Sequence, residues 1–216
     1  MTFIRIDTQQ AYEKIKEQII TLELAPGAQL SAQALAESLD MGLTPVEEAL
    51  KLLAHDELVE ITPRHGIYVA AVSVADLEQL SEMRVPLEAL CARLAAQRAT
   101  PDDIVVLEAL RQEQASVSSD DSHRLFQIDH KFHQAIARAA HNKYLSRTLD
   151  HYFGLSQRLW YLALPRLGFL PTAVADHLAL VDAIETGDAD AAERVMRSHV
   201  QNFYDKVRGI LSEEMD

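Results

Sequence analysis

Residues 43–69, LTPVEEALKLLAHDELVEITPRHGIYV, decide the fold of the N-terminal part of this chain. The first half carries apolar residues at helical spacing, which puts their side chains on one face of a helix: Val46, Ala49, Leu50 and Leu53. The second half has two β-rich runs, 58–61 and 67–69, on either side of the hairpin-sized loop 62–66. A helix that leads into a β-hairpin predicts the second half of a winged helix-turn-helix.

Two further helices are predicted upstream of this segment. Apolar residues recur at helical spacing over residues 11–24 and stop at the turn signal Pro26-Gly27. Ser31 is placed as the N-cap of a short helix that ends at Leu39. Three helices and a hairpin therefore make a winged helix-turn-helix over residues 1–72.

The third helix has the signals of a capped start. Thr44 reads as its N-cap, Pro45 as its first residue and Glu47 as the returning partner of a T-x-x-E capping box. Glu47 has a second interpretation, because an outward carboxylate here is also an acceptor for a cytosine amino group in the DNA major groove. Lys51 lies on the same outward face, as either an ordinary exposed lysine or a phosphate contact.

The same segment carries a family pattern: Pro26-Gly27, Leu30, Leu35-Ala36, Thr44-Pro45-Val46, Glu48-Ala49-Leu50, Leu53, Arg64, Gly66 and Val69. With it, the segment closely resembles the GntR family of bacterial transcription regulators. The resemblance implies binding to operator DNA, with contacts expected from Ser31, Thr44, Glu47, Lys51, Arg64, His65 and Gly66. For Arg64 and His65 the alternative is a solvated turn. The segment departs from the family at Leu43 and Glu47, where the family usually has arginines that touch DNA.

The charge of the chain counts against DNA binding. The formal net charge is -13, and residues 1–72 hold five basic against eleven acidic residues, a net charge of -6. Such a charge repels the phosphate backbone that supplies most of the affinity for DNA. One alternative hypothesis is therefore a sensor with weakened DNA contacts that relies on protein partners.

The composition predicts a cytoplasmic protein of two ordinary domains. The chain has 216 residues, of which 48% are hydrophobic, and its start, MTFIRIDTQQ, lacks the features of a secretory signal. No apolar run approaches the roughly 18 residues of a membrane span. Cys91 is the only cysteine and is expected to be buried, which excludes an intrachain disulfide and a cysteine-based zinc site. The nine histidines are the metal-capable residues.

Residues 73–216 are predicted to form an all-helical antiparallel bundle. The composition shifts to helix formers after residue 72, and no glycine-rich linker intervenes. Six helices are expected, at about 74–99, 101–117, 121–140, 142–163, 171–186 and 188–212. The chain as a whole is therefore expected to be mainly α.

Polar residues interrupt the apolar faces of three of these helices. Asp129 and His133 lie one turn apart within a core-facing arc, and His177 and His199 lie on the apolar faces of the last two helices. A buried carboxylate or imidazole is costly unless it is paired or coordinated. Three neutral imidazoles and one carboxylate suit a divalent metal ion, zinc first, with nickel, manganese or iron as alternatives.

Four stretches carry a second family pattern: MRVPLEALCARLAA (83–96), DHKFHQAIARAAHN (129–142), ADHLALVDAIETGD (175–188) and ADAAERVMRSH (189–199). With them, the segment resembles the FCD ligand-binding domain of the FadR subfamily of GntR regulators, and six helices fit its shorter, VanR-like variant. The resemblance implies that a divalent metal is bound by Asp129, His133, His177 and His199. It also implies a homodimer that responds to a small organic acid.

Arg84, Glu88 and Asn142 are the candidate effector-binding residues. Arg84 falls on an apolar face with Glu88 one turn further on, and an inward arginine needs an anionic partner. Two roles stay open for it: an internal ion pair with Glu88, or a bidentate grip on an effector carboxylate beside the metal, which we favour because the resemblance implies organic-acid effectors. Asn142 is either a helix cap or a pocket residue.

These observations predict a DNA-binding transcription regulator rather than an enzyme. We expect a homodimeric repressor that binds a palindromic operator and is controlled by a small carboxylate bound beside the metal. The rival from another class is a metal-dependent hydrolytic enzyme, with Glu88 or His130 as the base. The sequence offers it neither a nucleophile nor a phosphate-binding loop.

Overall fold

The computed structural model describes residues 6–167 and 171–213. The helices in this part of the chain are α1 Ile6–Ile20, α2 Ala32–Leu39, α3 Leu43–His55, α4 Val74–Arg98, α5 Pro101–Ala115, α6 Ser122–Ala139, α7 Lys143–Leu167, α8 Pro171–Thr186 and α9 Ala189–Glu213. The strands are β1 Gln29–Leu30, β2 Val59–Thr62 and β3 Gly66–Val69. The chain divides into two compact units: Met1–Ser73 with Tyr152–Leu162, and Val74–His151 with Ala163–Asp216.

The first unit is the predicted winged helix-turn-helix. Its strands form an antiparallel sheet in the order β1-β3-β2, and the pairing of β2 with β3 from Val59↔Val69 to Thr62↔Gly66 makes the wing. The predicted apolar face of α3 is fully buried, in one core with residues of α1, α2 and the sheet. Residues 152–162, which the sequence assigned to the C-terminal domain, cluster with this unit.

The structure corrects the predicted start of the third helix. Thr44 is not the N-cap: α3 begins at Leu43, and its N-cap is Gly42, which has no side chain to cap the helix. The Gly42 carbonyl already accepts the backbone N–H of Val46 at 3.5 Å, so the helical turn forms two residues earlier than the T-x-x-E pattern suggested. Pro45 fits there because the first N–H groups of a helix have no partner within it. Thr44 and Glu47 are therefore exposed residues of the first turns and do not form a capping box.

Other boundaries of the first unit follow the sequence more closely. Ser31 is the N-cap of α2 as predicted, and its hydroxyl accepts the Ala34 N–H at 3.3 Å. The first helix begins and ends earlier than expected, at Ile6 and Ile20, because Leu22 takes a positive φ of 65° that ends the helical path. Strand β1 was not predicted, since two residues are too few to show an alternating pattern.

The second unit is the predicted helical domain, with all six helices present. The long helices α4 and α9 pack along each other, α4 also contacts α6 and α8, and α5 contacts α6 and α8. Thr100 and Asp103 form a capping box that starts α5, and Cys91 is buried as expected. None of the helices in the described ranges combines the length and apolar character that a membrane span needs.

Candidate metal centre and DNA-contact surface

The structure brings the four predicted metal ligands together inside the second unit. Helix α6 supplies Asp129 and His133 from successive turns, α8 supplies His177 and α9 supplies His199. One ligand atom from each residue lies within 4.8 Å of all the others. The three histidines are buried and Asp129 is half-buried, so the cluster is held by the packing of three helices.

The separations between the donor atoms fit a single cation. Asp129 Oδ1 lies 3.2 Å from His177 Nε2 and 3.5 Å from His199 Nε2. His133 Nε2 lies 3.2 Å from His199 Nε2 and 3.6 Å from Asp129 Oδ2. A tetrahedral ion with bonds of about 2.0–2.1 Å holds neighbouring ligand atoms roughly 3.3–3.4 Å apart.

The electrostatics of the cluster also suit a cation. Burial lowers the pKa of His177 to about 4, against the opposing effect of Asp129, so this imidazole is neutral at neutral pH. Burial would raise the pKa of the Asp129 carboxyl, but the three imidazoles outweigh it and hold that pKa well below its ordinary value. For His199, burial is outweighed by Asp129 and Asp176, which raise its pKa to about 9. A carboxylate thus lies at the centre of the imidazoles.

Each imidazole uses its other nitrogen for a contact in an outer layer. His133 Nδ1 contacts a carboxylate oxygen of Glu88, His177 Nδ1 lies 3.0 Å from the Gln114 amide nitrogen, and His199 Nδ1 lies 3.3 Å from Asp176 Oδ2. All three rings therefore turn Nε2 toward the centre. Metal-bound histidines in proteins almost always bond their second nitrogen to a carboxylate, carbonyl or water, which fixes the ring.

One buried nitrogen at the centre of the cluster suits a metal ligand. His177 Nε2 is buried and makes no hydrogen bond with any residue that the structure describes, although it lies 3.2 Å from Asp129 Oδ1. Buried polar atoms are otherwise almost always hydrogen-bonded. Together with the spacing and the outer layer, this atom shows that the residues present fit a divalent metal.

The structure shows the internal ion pair that the sequence left open for Arg84. Arg84 Nη2 contacts Glu88 Oε1, Arg84 Nη1 lies 3.3 Å from the Tyr204 hydroxyl, and both charged side chains are buried. Burial would raise the pKa of Glu88, but Arg84 and His133 outweigh it and lower it to about 2. The Arg84 guanidinium therefore pairs with a carboxylate of its own helix. Binding of an effector by Arg84 and Glu88 stays a prediction.

Asn142 has the capping role that the sequence allowed. Its side-chain oxygen accepts the backbone N–H groups of Tyr144 at 3.2 Å and Leu145 at 3.3 Å, at the start of α7. These two bonds cap the start of α7, and the positive φ of 48° at His141 ends the path of α6 before it. The pocket role of Asn142 stays a prediction.

Sequence reasoning missed the outer-layer residues Gln114, Asp176 and Tyr204. Gln114 and Tyr204 are buried polar residues in apolar helix faces. For Gln114 the sequence contained a signal of this burial, because it follows Leu107 and Leu110 at heptad spacing. Asp176 directly precedes His177 but contacts His199 on the next helix. Its partner could not be read from the sequence, because it depends on how α8 and α9 pack.

The predicted DNA-contacting residues lie on the exposed face of α3, on the wing and at the start of α2. Thr44, Glu47 and Lys51 are exposed along α3, Arg64 and His65 are exposed at the wing tip, and Ser31 is exposed at the α2 N-terminus. Leu43, at one of the positions where the family usually has arginine, is 41% exposed. The outward face of α3 is thus acidic and apolar, with Lys51 as the basic residue among these positions.

The wing tip holds Arg64 in an uncommon backbone conformation. The His65 N–H bonds to the Thr62 carbonyl at 3.1 Å across Pro63 and Arg64, and Arg64 has a φ of 65°. Proline followed by a residue of positive φ is the pattern of a type II turn, whose third position normally holds glycine or asparagine. The turn lifts the guanidinium to the end of the hairpin and strains the backbone.

Replacing Arg64 with glycine should stabilise the first unit and weaken DNA binding. The left-handed conformation costs a non-glycine residue about 1–2 kcal/mol, whereas the added freedom of an unfolded glycine costs about 0.5–1 kcal/mol. We expect the free energy of unfolding to rise by roughly 0.5–1 kcal/mol, measured in urea by the fluorescence of Trp160, which belongs to this unit. Arg64→Lys is the control, because it keeps both strain and charge. Unchanged DNA affinity in Arg64→Gly would contradict a contact by this side chain.

Two families match the chain, one for each part. The family described as "Bacterial regulatory proteins, gntR family" matches residues 7–69, and the FCD domain matches residues 79–202. The FCD match alone covers more than half of the chain.

Similar proteins span nearly the full length. The HTH-type transcriptional repressor RspR of Escherichia coli K12 is 29% identical over 209 residues, which cover 96% of this chain and 92% of that protein. An uncharacterized HTH-type transcriptional regulator of Streptomyces ambofaciens is 32% identical over 210 residues, covering 95% and 87%. The solved structure of Escherichia coli McbR/YncC has the same fold, with a TM-score of 0.82 at 22% identity over 98% of this chain and 100% of that one. The chain therefore belongs to the GntR family, as a DNA-binding transcription regulator of the FadR-like subfamily with an FCD domain.

Proposed function

We propose that this regulator is a homodimeric repressor whose affinity for its operator is set by a small carboxylate bound at a divalent metal ion. The metal ligands are Asp129, His133, His177 and His199. The observation that carries the proposal is the meeting of three Nε2 atoms and one carboxylate from three helices: four pairs of donor atoms are 3.2–3.6 Å apart, and one ligand atom from each residue lies within 4.8 Å of all the others. The proposal of a repressor rather than an activator is supported by the similar protein RspR, whose name describes it as a repressor.

The donor set explains why a carboxylate is the expected effector. One carboxylate and three neutral imidazoles around a divalent cation leave a net charge of +1, and four protein ligands leave a position open in a five- or six-coordinate ion. When bound, zinc or a related metal supplies a Lewis-acidic position for an anionic oxygen. The buried surroundings strengthen that attraction, because the local dielectric is low.

The regulatory step is a difference in affinity between two states of the dimer. A carboxylate that binds one arrangement of the two winged helices better than the other shifts the population toward it, and so changes the affinity for a palindromic operator. Two-fold symmetry in the protein matches two-fold symmetry in the operator. Light scattering coupled to gel filtration should give a dimer mass, and a monomer would contradict this part.

The proposal is tested with cobalt in place of zinc and acetate as the simplest carboxylate. Acetate that enters the coordination sphere should change the visible absorption of the cobalt-loaded protein. Acetate or a larger carboxylate should also shift the binding of the zinc-loaded protein to DNA from its own upstream region, measured by fluorescence anisotropy. An unchanged cobalt spectrum across a panel of small carboxylates would contradict the effector site.

Restoring arginine at the two departing positions of α3 should strengthen DNA binding. Leu43→Arg with Glu47→Arg adds two positive charges at exposed positions and removes one negative charge, so the net charge of this face rises by three. Each new phosphate contact should steepen the dependence of log K on log salt by about 0.9, and we expect an affinity gain of roughly tenfold or more at low salt. Glu185→Arg, exposed in the FCD domain, is the control. If the salt dependence and the affinity of DNA binding are the same as in the unaltered protein, this face of α3 does not contact DNA.

A further inference from the structure

The contact between Gln114 and His177 differs in kind from the other two contacts of the outer layer. Glu88 and Asp176 are carboxylates, which only accept when ionised, so each favours a proton on Nδ1 of its histidine, and the neutral form of that ring has its lone pair on Nε2. Gln114 carries an amide, which donates through its nitrogen and accepts through its oxygen. Of these three contacts, only the one from Gln114 suits either tautomer of its histidine.

The orientation of the Gln114 amide suits one tautomer of His177. The amide nitrogen lies 3.0 Å from His177 Nδ1, and an amide nitrogen only donates, so this orientation pairs with a ring whose proton is on Nε2, 3.2 Å from Asp129 Oδ1. Within the described residues, Gln114 Oε1 then makes no hydrogen bond. This oxygen is buried, which makes its lack of a partner costly.

The surroundings leave few ways to relieve this cost. The His177 ring stacks on Phe132, with centroids 4.5 Å apart and planes 23° apart, and this contact opposes rotation of the ring. His177 is 1% exposed and Gln114 is 3% exposed, so bulk water does not reach them. The adjustments that remain are a half-turn of the amide and a change in which ring nitrogen carries the proton.

We propose that Gln114 is a positioning residue that sets the metal affinity of the site by turning its amide when a cation binds. His177 loses the proton on Nε2 and gains one on Nδ1, so its net protonation is unchanged. Gln114 Oε1 then accepts the Nδ1–H, and the freed Nε2 lone pair faces the cation. Gln114 Oε1 obtains a partner in this arrangement, and the Asp129 carboxylate no longer faces a protonated His177 Nε2. The inference rests on the proposed metal site.

Nitrogen NMR on the full-length protein tests the exchange directly. The imidazole 15N shifts of His177, assigned by comparison with the His177→Ala variant, should report a proton on Nε2 without metal and on Nδ1 after zinc is added. The same tautomer in both states would overturn the inference. This measurement needs no substitution at Gln114, so a folding defect cannot obscure it.

Substitutions at Gln114 test its effect on affinity. Gln114→Met keeps the size of the side chain but removes both hydrogen-bonding atoms, and it should weaken zinc binding about 10–100-fold in a chelator competition. Gln114→Glu only accepts, so it should bind zinc at least as tightly as the unaltered protein, with a larger rise in thermal midpoint on zinc addition. Gln112→Met, exposed on the same helix, is the matched control.

The outcomes separate this inference from the proposed function. If the unaltered protein binds zinc and Gln114→Met binds it with the same affinity, the role of Gln114 is overturned while the metal site stands. If the unaltered protein binds no divalent ion, both fall together.

Discussion

The His177→Ala variant should lose high-affinity zinc binding together with the stability that zinc provides. His177 is 1% exposed and its Nε2 faces the centre of the cluster, 3.2 Å from Asp129 Oδ1, so the variant loses one of the four proposed ligands. At a free zinc concentration of 1,000 times Kd, a single site stabilises the folded state by about 4 kcal/mol. We expect that increment in unaltered protein and almost none in the variant, measured by calorimetry with and without zinc.

The comparison must be between zinc-induced changes rather than absolute stabilities. Removing the imidazole also leaves a gap beside Phe132, which destabilises the protein with or without metal. His123→Ala, at an exposed histidine of α6, is the matched control and should keep the full zinc increment. An equal increment in His177→Ala would show that zinc binds elsewhere.

The Glu88→Ala variant should be strongly destabilised even without metal. It leaves the Arg84 guanidinium, which is 4% exposed, without the carboxylate that it contacts. Breaking a buried ion pair from one side typically costs about 3–5 kcal/mol, because the remaining charge stays in a medium of low polarity. Urea unfolding of the metal-free protein, followed by circular dichroism, measures the effect.

A double variant separates the ion pair from simple loss of packing. Arg84→Met combined with Glu88→Leu removes both charges and keeps apolar volume, so it should recover much of the lost stability. Glu185→Ala, at an exposed carboxylate, should change stability by less than about 0.5 kcal/mol. If Glu88→Ala lowers the free energy of unfolding by less than about 1 kcal/mol, the buried guanidinium of Arg84 does not need Glu88 for stability. That result would favour a role for Arg84 in binding an effector carboxylate.

The inward direction of the four cluster residues could be predicted, because it can be read within a single helix. Asp129 and His133 share the phase of the buried residues of α6, and His177 and His199 interrupt apolar faces in the same way. The four residues face one another because of how α6, α8 and α9 pack. From the sequence, this meeting was expected only through the resemblance to FCD domains. Helical phase alone would have given four separate buried polar residues.

The outer layer depends on contacts between helices and was therefore not predicted. Gln114 and His177 are 63 residues apart, and Asp176 reaches His199 rather than the histidine beside it. For Arg84 two partners were possible from the sequence, and only the packed structure shows it beside Glu88 and Tyr204. The helical phase of a residue predicts which way its side chain points, whereas the packing of the neighbouring helix determines which residue it contacts.

The winged helix was predictable from local signals, with errors where those signals conflicted. The apolar spacing of α3 and the two β-rich runs gave the correct elements, and Ser31 caps α2 as expected. The T-x-x-E pattern predicted the N-cap at Thr44. The carbonyl of Gly42, however, accepts the backbone N–H of Val46, so the N-cap is Gly42. Glu47 consequently has no capping role, and its carboxylate is exposed on the outward face of α3, for which DNA contact is predicted.

Anomalous X-ray scattering from crystals of the protein as purified tests the central claim most directly. The account predicts one anomalous peak per chain about 2.0–2.2 Å from Nε2 of His133, His177 and His199 and from a carboxylate oxygen of Asp129. The absorption edge would identify the metal, and electron density at the open position would show any bound acid. A cluster without an anomalous peak, in protein soaked with zinc as well as in protein as purified, would contradict it.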